Sequence, residues 1–181
     1  MNIIQISSSQ VKWGEEIFFC SIGKAGFIAE SNKQEGDGKT PCGKYSFLKV
    51  YYRPDRVDMP RTSLPTFPIH KNSAWCDDGC HSLYNGYFDL NDPIASDIKS
   101  FENLWREDNL YDILIVVNHN YEPAVPCMGS AIFIHCTHKN ESPPYKPSRG
   151  CLKLNILDLQ TILKDADKKS VWEIPKNLYA D

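Results

Sequence analysis

A cysteine and a histidine in the C-terminal third of the chain have the types and the spacing for acyl transfer. Cys151 follows Gly150, and His135 stands sixteen residues earlier, near the end of an apolar run. A glycine directly before a cysteine lets the backbone turn tightly, and N–H groups in such a turn can stabilise a developing oxyanion. A histidine within hydrogen-bonding reach would raise the thiolate fraction and later protonate a leaving amine. The pair therefore indicates a cysteine nucleophile, although an inert buried cysteine and a strand-end histidine would have the same spacing.

The histidine belongs to a predicted strand over residues 131–137. Because side chains alternate along a strand, His135 shares a face with Phe133, while Ile134 and Cys136 point the other way. Similar short runs rich in Ile, Val, Phe and Tyr predict further strands at 3–6, 17–22, 27–29, 44–52, 113–118 and 171–174.

The connections between these runs give weaker signals. Gly23 and Gly26 predict a hairpin turn, and Gly36 with Gly38 predicts a flexible loop. The segment 53–92 is long, irregular and dotted with proline, which is typical of a loop that shapes a binding site or covers an open sheet edge.

Helical periodicity occurs in two segments. The first follows Asn155, a suitable N-cap, and its apolar stripe consists of Ile156, Leu159, Ile162 and Leu163. The second, residues 95–106, places Ile98, Phe101, Leu104 and Trp105 on one side. The sequence thus predicts a mainly β protein with one or two short helices.

Composition narrows the function classes. The 181 residues are 41% hydrophobic and show no repeat or linker, so they predict a single domain over 1–181. A net charge of -3 disfavours nucleic-acid binding, which depends on many contacts between basic residues and phosphates. No apolar run is long enough for a membrane span. The first residues lack the features of a signal peptide, which favours the cytoplasm and reduced thiols. Seven cysteines cannot all pair within one chain, so at least one thiol has another role.

Other motifs allow alternative interpretations. Cys76, Cys80 and His81 have zinc-like spacing but lack a second close pair, so local packing or a redox-sensitive pair is favoured. The segment 36–40 lacks the first glycine of a phosphate loop and precedes a strand, which excludes a nucleotide site. His119 follows an apolar strand, where it either forms a turn or joins a polar cluster near His135. Trp75 lies in the long irregular segment, where substrate contact is one interpretation.

The motifs jointly resemble the L,D-transpeptidase catalytic domain (YkuD-type) family. Its signature, a histidine followed by a loop and Ser/Thr-His-Gly-Cys, corresponds to His135 and the segment 148–151. An upstream block at 36–45 and the order of elements after the cysteine also match, so the resemblance covers most of the chain. It is strongest with a branch whose long insertion would correspond here to about residues 53–110.

The resemblance implies an L,D-transpeptidase-like β-sandwich and roles for particular residues. Cys151 would be the nucleophile and His135 the general base, with Gly150 and the Cys151 amide as the oxyanion region. The substrate-binding candidates are Ser148, Arg149, Lys153, His119 and Trp75. Arg149 stands where the family has its second histidine, and Lys153 where it has an arginine. An arginine at that position could bind a substrate carboxylate bidentately.

The implied reaction is acyl transfer on peptidoglycan stem peptides or muropeptides. Cys151 would attack the bond between a diamino acid and D-Ala, and the thioester would pass to an amine (L,D-transpeptidase) or to water (L,D-carboxypeptidase). The resemblance implies no metal or organic cofactor. It suggests the periplasm or cell wall, against the cytoplasm favoured by the N-terminal residues. The alternative function is a non-catalytic module that binds cell-wall peptides or zinc on the same fold.

Overall fold

Strands make up most of the regular structure in the computed structural model, which describes residues 2–178. The strands are, in chain order, β1 (Asn2–Gln5), β2 (Gln10–Trp13), β3 (Glu16–Ser21), β4 (Phe27–Ala29), β5 (Thr40–Tyr52), β6 (Thr66–Pro68), β7 (Ser73–Cys76), β8 (Tyr87–Asp89), β9 (Phe101–Asn103), β10 (Ile113–Val117), β11 (Phe133–Cys136), β12 (Leu152–Leu154) and β13 (Val171–Ile174). The helical elements are the α-helix α1 (Ile156–Asp165) and 3-10 helices at Glu30–Asn32, Pro93–Asp97 and Lys176–Leu178. The predicted mainly β class is confirmed.

One large mixed sheet contains ten strands. Its order is β10-β11-β12-β3-β2-β1-β13-β5-β4, with β6 beside β5. β10 also pairs with β5, so the sheet folds over and closes on itself. The length of β5 allows this closure, because residues 43–46 pair with β13 while residues 47–52 pair with β10. This folded-over sheet agrees with the expected L,D-transpeptidase-like architecture.

The interior of the large sheet is filled by apolar side chains from both halves. The helix α1 adds three of them, and the Asn155 side chain caps its start by accepting a hydrogen bond from the Leu157 N–H, as predicted. Complete burial of each large apolar side chain contributes about 1.5–3 kcal/mol. The most deeply buried members of this core include Ile3, Val11, Trp172, Leu152, Leu154, Leu159, Ile162 and Leu163.

A second, small sheet has the order β8-β7-β9 and is antiparallel throughout. The predicted helix over 95–106 is wrong, because residues 93–97 form a 3-10 turn and β9 is extended. Glu102 is half-buried and Leu104 fully buried, whereas Phe101 and Asn103 are exposed, which is the two-residue period of a strand. Pairing with β7 satisfies the backbone of β9, and this long-range contact overrides the local helical spacing.

The predicted strands are all present; those at 27–29 and 171–174 have the predicted ends, and the others have shifted ends. β2 was not predicted, although its sequence alternates polar and apolar residues. The turn at Gly23 forms, since the Gly26 N–H donates to the Gly23 carbonyl at 2.9 Å. The predicted hairpin does not form, because β4 pairs with β5 instead of β3. Among residues 2–178, no helix has the length and apolar character to cross a bilayer.

Candidate active site

Cys151 and His135 project from the same face of two neighbouring strands. β11 and β12 run parallel, with Ile134 opposite Leu152. Those two side chains point into the main core, so Phe133, His135 and Cys151 point to the opposite face. The alternation predicted for the histidine strand is confirmed. Both candidate residues line one cavity of about 670 Å³.

A tight turn carries Cys151 into this cavity. The Ser148 hydroxyl donates to the Cys151 carbonyl at 2.6 Å and accepts the Gly150 N–H at 3.0 Å. Gly150 has φ +149°, and a Cβ there would lie 2.9 Å from the Ile132 side chain and 3.0 Å from the Lys39 carbonyl oxygen. Only glycine fits this position. Because Gly150 already uses its N–H, the Cys151 N–H, which has no acceptor among the described residues, is the donor left for an oxyanion.

The upstream block at 36–45 supports this turn through Thr40. The Thr40 hydroxyl donates to the Gly150 carbonyl at 2.7 Å and accepts the Gly23 N–H at 2.9 Å. Gly23 also forms a β-bridge with Ser148, and the neighbouring Lys24 N–H donates to the Ser148 carbonyl at 2.9 Å. A segment more than a hundred residues away in sequence therefore fixes the position of the candidate nucleophile.

The Cys151 thiol is buried and protonated at rest. Its Sγ donates to the Ala131 carbonyl at 3.1 Å and accepts the Phe133 N–H at 3.3 Å. Burial raises the pKa of Cys151 to about 12. At neutral pH the sulfur is therefore a thiol. The thiol proton, which is hydrogen-bonded to the Ala131 carbonyl, must be transferred to a base before the sulfur can attack.

His135 is a neutral base with a fixed tautomer. Its Nδ1 lies 2.9 Å from the Cys136 carbonyl oxygen, which can only accept, so Nδ1 carries the proton and Nε2 keeps its lone pair. Burial lowers the pKa of His135 to about 4, and the charges of Lys153 and Arg106 act in the same direction. Tyr111 packs edge-on against the ring at 5.1 Å. In the neutral imidazole, Nε2 is therefore the ring nitrogen that can accept a proton.

Three cavity residues beside the small sheet were missed by the sequence analysis. Glu102 Oε1 accepts hydrogen bonds from Arg106 Nη1 at 2.8 Å and from the Tyr111 hydroxyl at 3.2 Å. Arg106 also binds Asp108 through Nε at 2.9 Å and Nη2 at 2.5 Å. Glu102, Arg106 and Tyr111 line the cavity together with Cys151. The alternation along β9 was the sequence signal for Glu102, but the helical spacing concealed it.

Arg149 and Lys153, two predicted substrate-binding residues, line the same cavity. Arg149 is exposed and forms no ion pair with any described residue. Lys153 is 2% exposed, and its Nζ donates to the Lys146 carbonyl at 2.7 Å. It also lies 3.8 Å from a Glu141 carboxylate oxygen. Arg149 is thus available to a ligand, whereas Lys153 already has partners.

His119 lies outside this cavity. It lines a smaller one of about 180 Å³ together with Glu30 and Met128. Its ring packs edge-on against Tyr45 at 5.3 Å, and Nε2 lies 3.3 Å from the Met128 carbonyl oxygen. Burial lowers the pKa of His119 to about 4. The structure does not bring His119 and Cys151 into one site.

Trp75 is fully buried behind the cavity and is held by Asn85, which the sequence analysis did not identify. The indole N–H donates to Asn85 Oδ1 at 2.9 Å, and the ring packs edge-on against Phe133 at 5.0 Å. Asn85 Oδ1 also accepts the Ala131 N–H at 3.0 Å. Asn85 thereby connects the small sheet to the residue whose carbonyl binds the Cys151 thiol.

All seven cysteines are free thiols, with Cys76 buried and Cys80 exposed. Within residues 2–178, no three His, Cys, Asp or Glu side chains converge in a way that could hold a metal ion.

Comparison with known proteins adds one match. A family model for the L,D-transpeptidase catalytic domain (YkuD) matches residues 4–174, which include both candidate catalytic residues and the small sheet. No curated protein and no solved structure matches the chain.

Proposed function

The chain belongs to the L,D-transpeptidase catalytic domain family, and from this premise we propose that Cys151 and His135 perform a two-step acyl transfer. Membership implies L,D-transpeptidase-type activity and a peptidoglycan peptide as substrate. The observation that carries the residue assignment is the projection of His135 and Cys151 from one face of adjacent parallel strands into one cavity.

In the first step, Cys151 attacks the carbonyl at the L-centre of the diamino acid in a stem tetrapeptide. His135 Nε2 takes the thiol proton as the sulfur–carbon bond forms, because both groups are neutral at rest. The Cys151 N–H stabilises the oxyanion. The carbon–nitrogen bond then breaks, His135 returns the proton to the leaving amine of D-Ala, and a thioester remains on Cys151.

In the second step, an acceptor attacks the thioester. An amine gives a crosslink or an exchanged D-amino acid, and water gives L,D-carboxypeptidase activity. Arg149 supports either route as an exposed guanidinium on the cavity wall, where it can bind a substrate carboxylate bidentately.

Product analysis by mass spectrometry tests this function with a tetrapeptide muropeptide, with and without an amine acceptor. We expect D-Ala release in both conditions and a new amide product when the acceptor is present. Cys151→Ala should abolish release, whereas Cys80→Ala, which removes an exposed thiol elsewhere, should retain it. Muropeptide binding without any release would instead favour the non-catalytic module.

A further inference from the structure

Two acidic residues on the side of the small sheet line the cavity around Cys151, and most of the basic lining residues come from other segments. Trp75 and Glu102 are register partners between β7 and β9, and Asp77 lies two residues beyond Trp75, on the same face. Glu102 and Asp77 both line the cavity. Among the basic lining residues, Arg106 is already bound to Glu102 and Asp108, and the others, Lys24, Lys33, Arg149 and Lys153, come from outside the small sheet. Glu35 adds one acidic lining residue from outside the small sheet. Such a cavity suits a ligand that carries both an ammonium and a carboxylate.

Glu102 is rigidly held, yet only half of its carboxylate is used. Both of its hydrogen bonds, from Arg106 and Tyr111, go to Oε1, and Oε2 accepts none from the described residues. Its side chain is 26% exposed, so the carboxylate keeps access to solvent. Glu102 therefore offers one free oxygen in a fixed position.

The charge of this cluster is not neutralised internally. Arg106 bridges Glu102 and Asp108, so one guanidinium stands against two carboxylates and a net charge of -1 remains. Asp77 also lacks compensation, because its Oδ1 is buried and accepts no hydrogen bond from the described residues. A buried carboxylate oxygen without a partner is costly, and a cationic ligand group nearby would offset that cost.

We propose that Glu102 binds the side-chain ammonium of the diamino acid in the stem peptide and so selects substrates that carry this amine free. This inference rests on the proposed function. An ammonium has the charge and the donors that a fixed, partly buried carboxylate oxygen accepts best. The exposed Arg149 on the same cavity is then left for a carboxylate of the same substrate.

Recognition by Glu102 also affects the reacting sulfur. Burial is the largest cause of the raised pKa of Cys151, and the negative charge of Glu102 raises this pKa further. An ammonium bound to Glu102 cancels this charge, which makes loss of the thiol proton easier. A free amine on the substrate therefore increases kcat as well as lowering KM.

Two tetrapeptides test the inference, one with the diamino-acid side-chain amine free and one with it acetylated. We expect wild type to prefer the free amine by about tenfold or more in kcat/KM for D-Ala release, as for loss of a hydrogen bond to a charged group. Glu102→Gln should bring the ratio close to one, and Glu102→Asp, which keeps the charge, should retain part of it. The matched control is Glu107→Gln, because the Glu107 side chain is 87% exposed. It should keep the wild-type ratio.

The ratio compares two substrates on one enzyme sample, so a partly unfolded variant does not distort it. A preference that persists in Glu102→Gln, or an equal loss with both peptides, would overturn the inference and assign Glu102 a structural role. Equal release from both peptides by wild type refutes the inference alone. Release from neither peptide refutes the proposed function as well.

Discussion

The large sheet and the small sheet contribute to the same cavity in different ways. On the large-sheet side, hydrogen bonds to backbone carbonyls position the candidate catalytic residues: the Cys136 carbonyl orients His135, and the Thr40 hydroxyl donates to the Gly150 carbonyl in the turn before Cys151. On the small-sheet side, side chains bind side chains, as in the contacts of Arg106 with Glu102. Groups fixed by backbone contacts change little when neighbouring side chains are substituted. For the proposed function, this contrast predicts that substitutions on the small-sheet side change substrate choice more than they change the chemical step.

The first prediction removes the proposed general base on the large sheet and has the largest expected effect. His135→Ala should lower the rate of D-Ala release by about a thousandfold, because a positioned general base contributes about 10²–10⁴-fold. Circular dichroism should show that the fold survives. His70→Ala, which changes an exposed histidine, is the control. Undiminished activity at neutral pH would show that another base serves.

The second prediction concerns acid stability, to which one histidine inside the cavity and one outside it contribute. His135 and His119 have pKa values of about 4, lowered chiefly by burial from an ordinary value of 6.5. Between pH 4 and pH 6.5, the unfolded chain binds more protons than the folded chain. The contribution of each neutral, buried histidine to the free energy of unfolding is therefore fully present above about pH 6.5 and is lost as the pH falls towards 4. Each histidine should cost about 3 kcal/mol of unfolding free energy over that range.

Urea unfolding at pH 7 and pH 4.5 measures this loss. His119→Gln should reduce the difference between the two pH values without removing it, since His135 still titrates. A difference that His119→Gln leaves unchanged would mean that His119 is not neutral and buried in solution.

The third prediction concerns Asn85, whose hydrogen bonds connect Trp75 of the small sheet to Ala131 of the segment before β11. Asn85→Ala leaves the Trp75 indole N–H and the Ala131 N–H without their acceptor, and should lower the unfolding free energy by about 2–3 kcal/mol. Asn85 also has a positive φ of 58°, so Asn140→Ala, at an exposed residue with φ 62°, is the matched control for backbone strain. Equal losses in the two variants would show that the hydrogen bonds of Asn85 add nothing.

The fourth prediction has the smallest effect and distinguishes a resting thiol from a resting thiolate. Cys80 and Cys127 are exposed, whereas Cys151 is 8% exposed and protonated. Iodoacetamide at pH 7.5 should therefore alkylate Cys151 more slowly than the other two by at least about tenfold, because the thiolate is the nucleophile. Peptide mapping over time measures the three rates. Fastest labelling at Cys151 would indicate an ion pair with His135 in the free enzyme.

The same contrast explains how far the sequence predicts the molecule. The shared face of His135 and Phe133 follows from strand alternation, a local pattern that needs no knowledge of the partner strand. The position of Glu102 on the cavity wall depends on the pairing of β9 with β7, in which its register partner is the distant Trp75, and local spacing indicated a helix there. The contacts of Asn85 could not be predicted for a similar reason, because its hydrogen-bond partners come from three separate segments. Local periodicity shows which face a residue occupies but not which distant strand lies opposite.

Intact-mass spectrometry after incubation with a carbapenem, an acylating agent for this family's cysteine chemistry, most directly tests the assignment of Cys151 as nucleophile. Wild type should gain the mass of one acyl group, located at Cys151 by peptide mapping, and Cys80→Ala should gain the same mass. Cys151→Ala should gain none. No adduct on wild type, or an equal adduct on Cys151→Ala, would contradict the assignment.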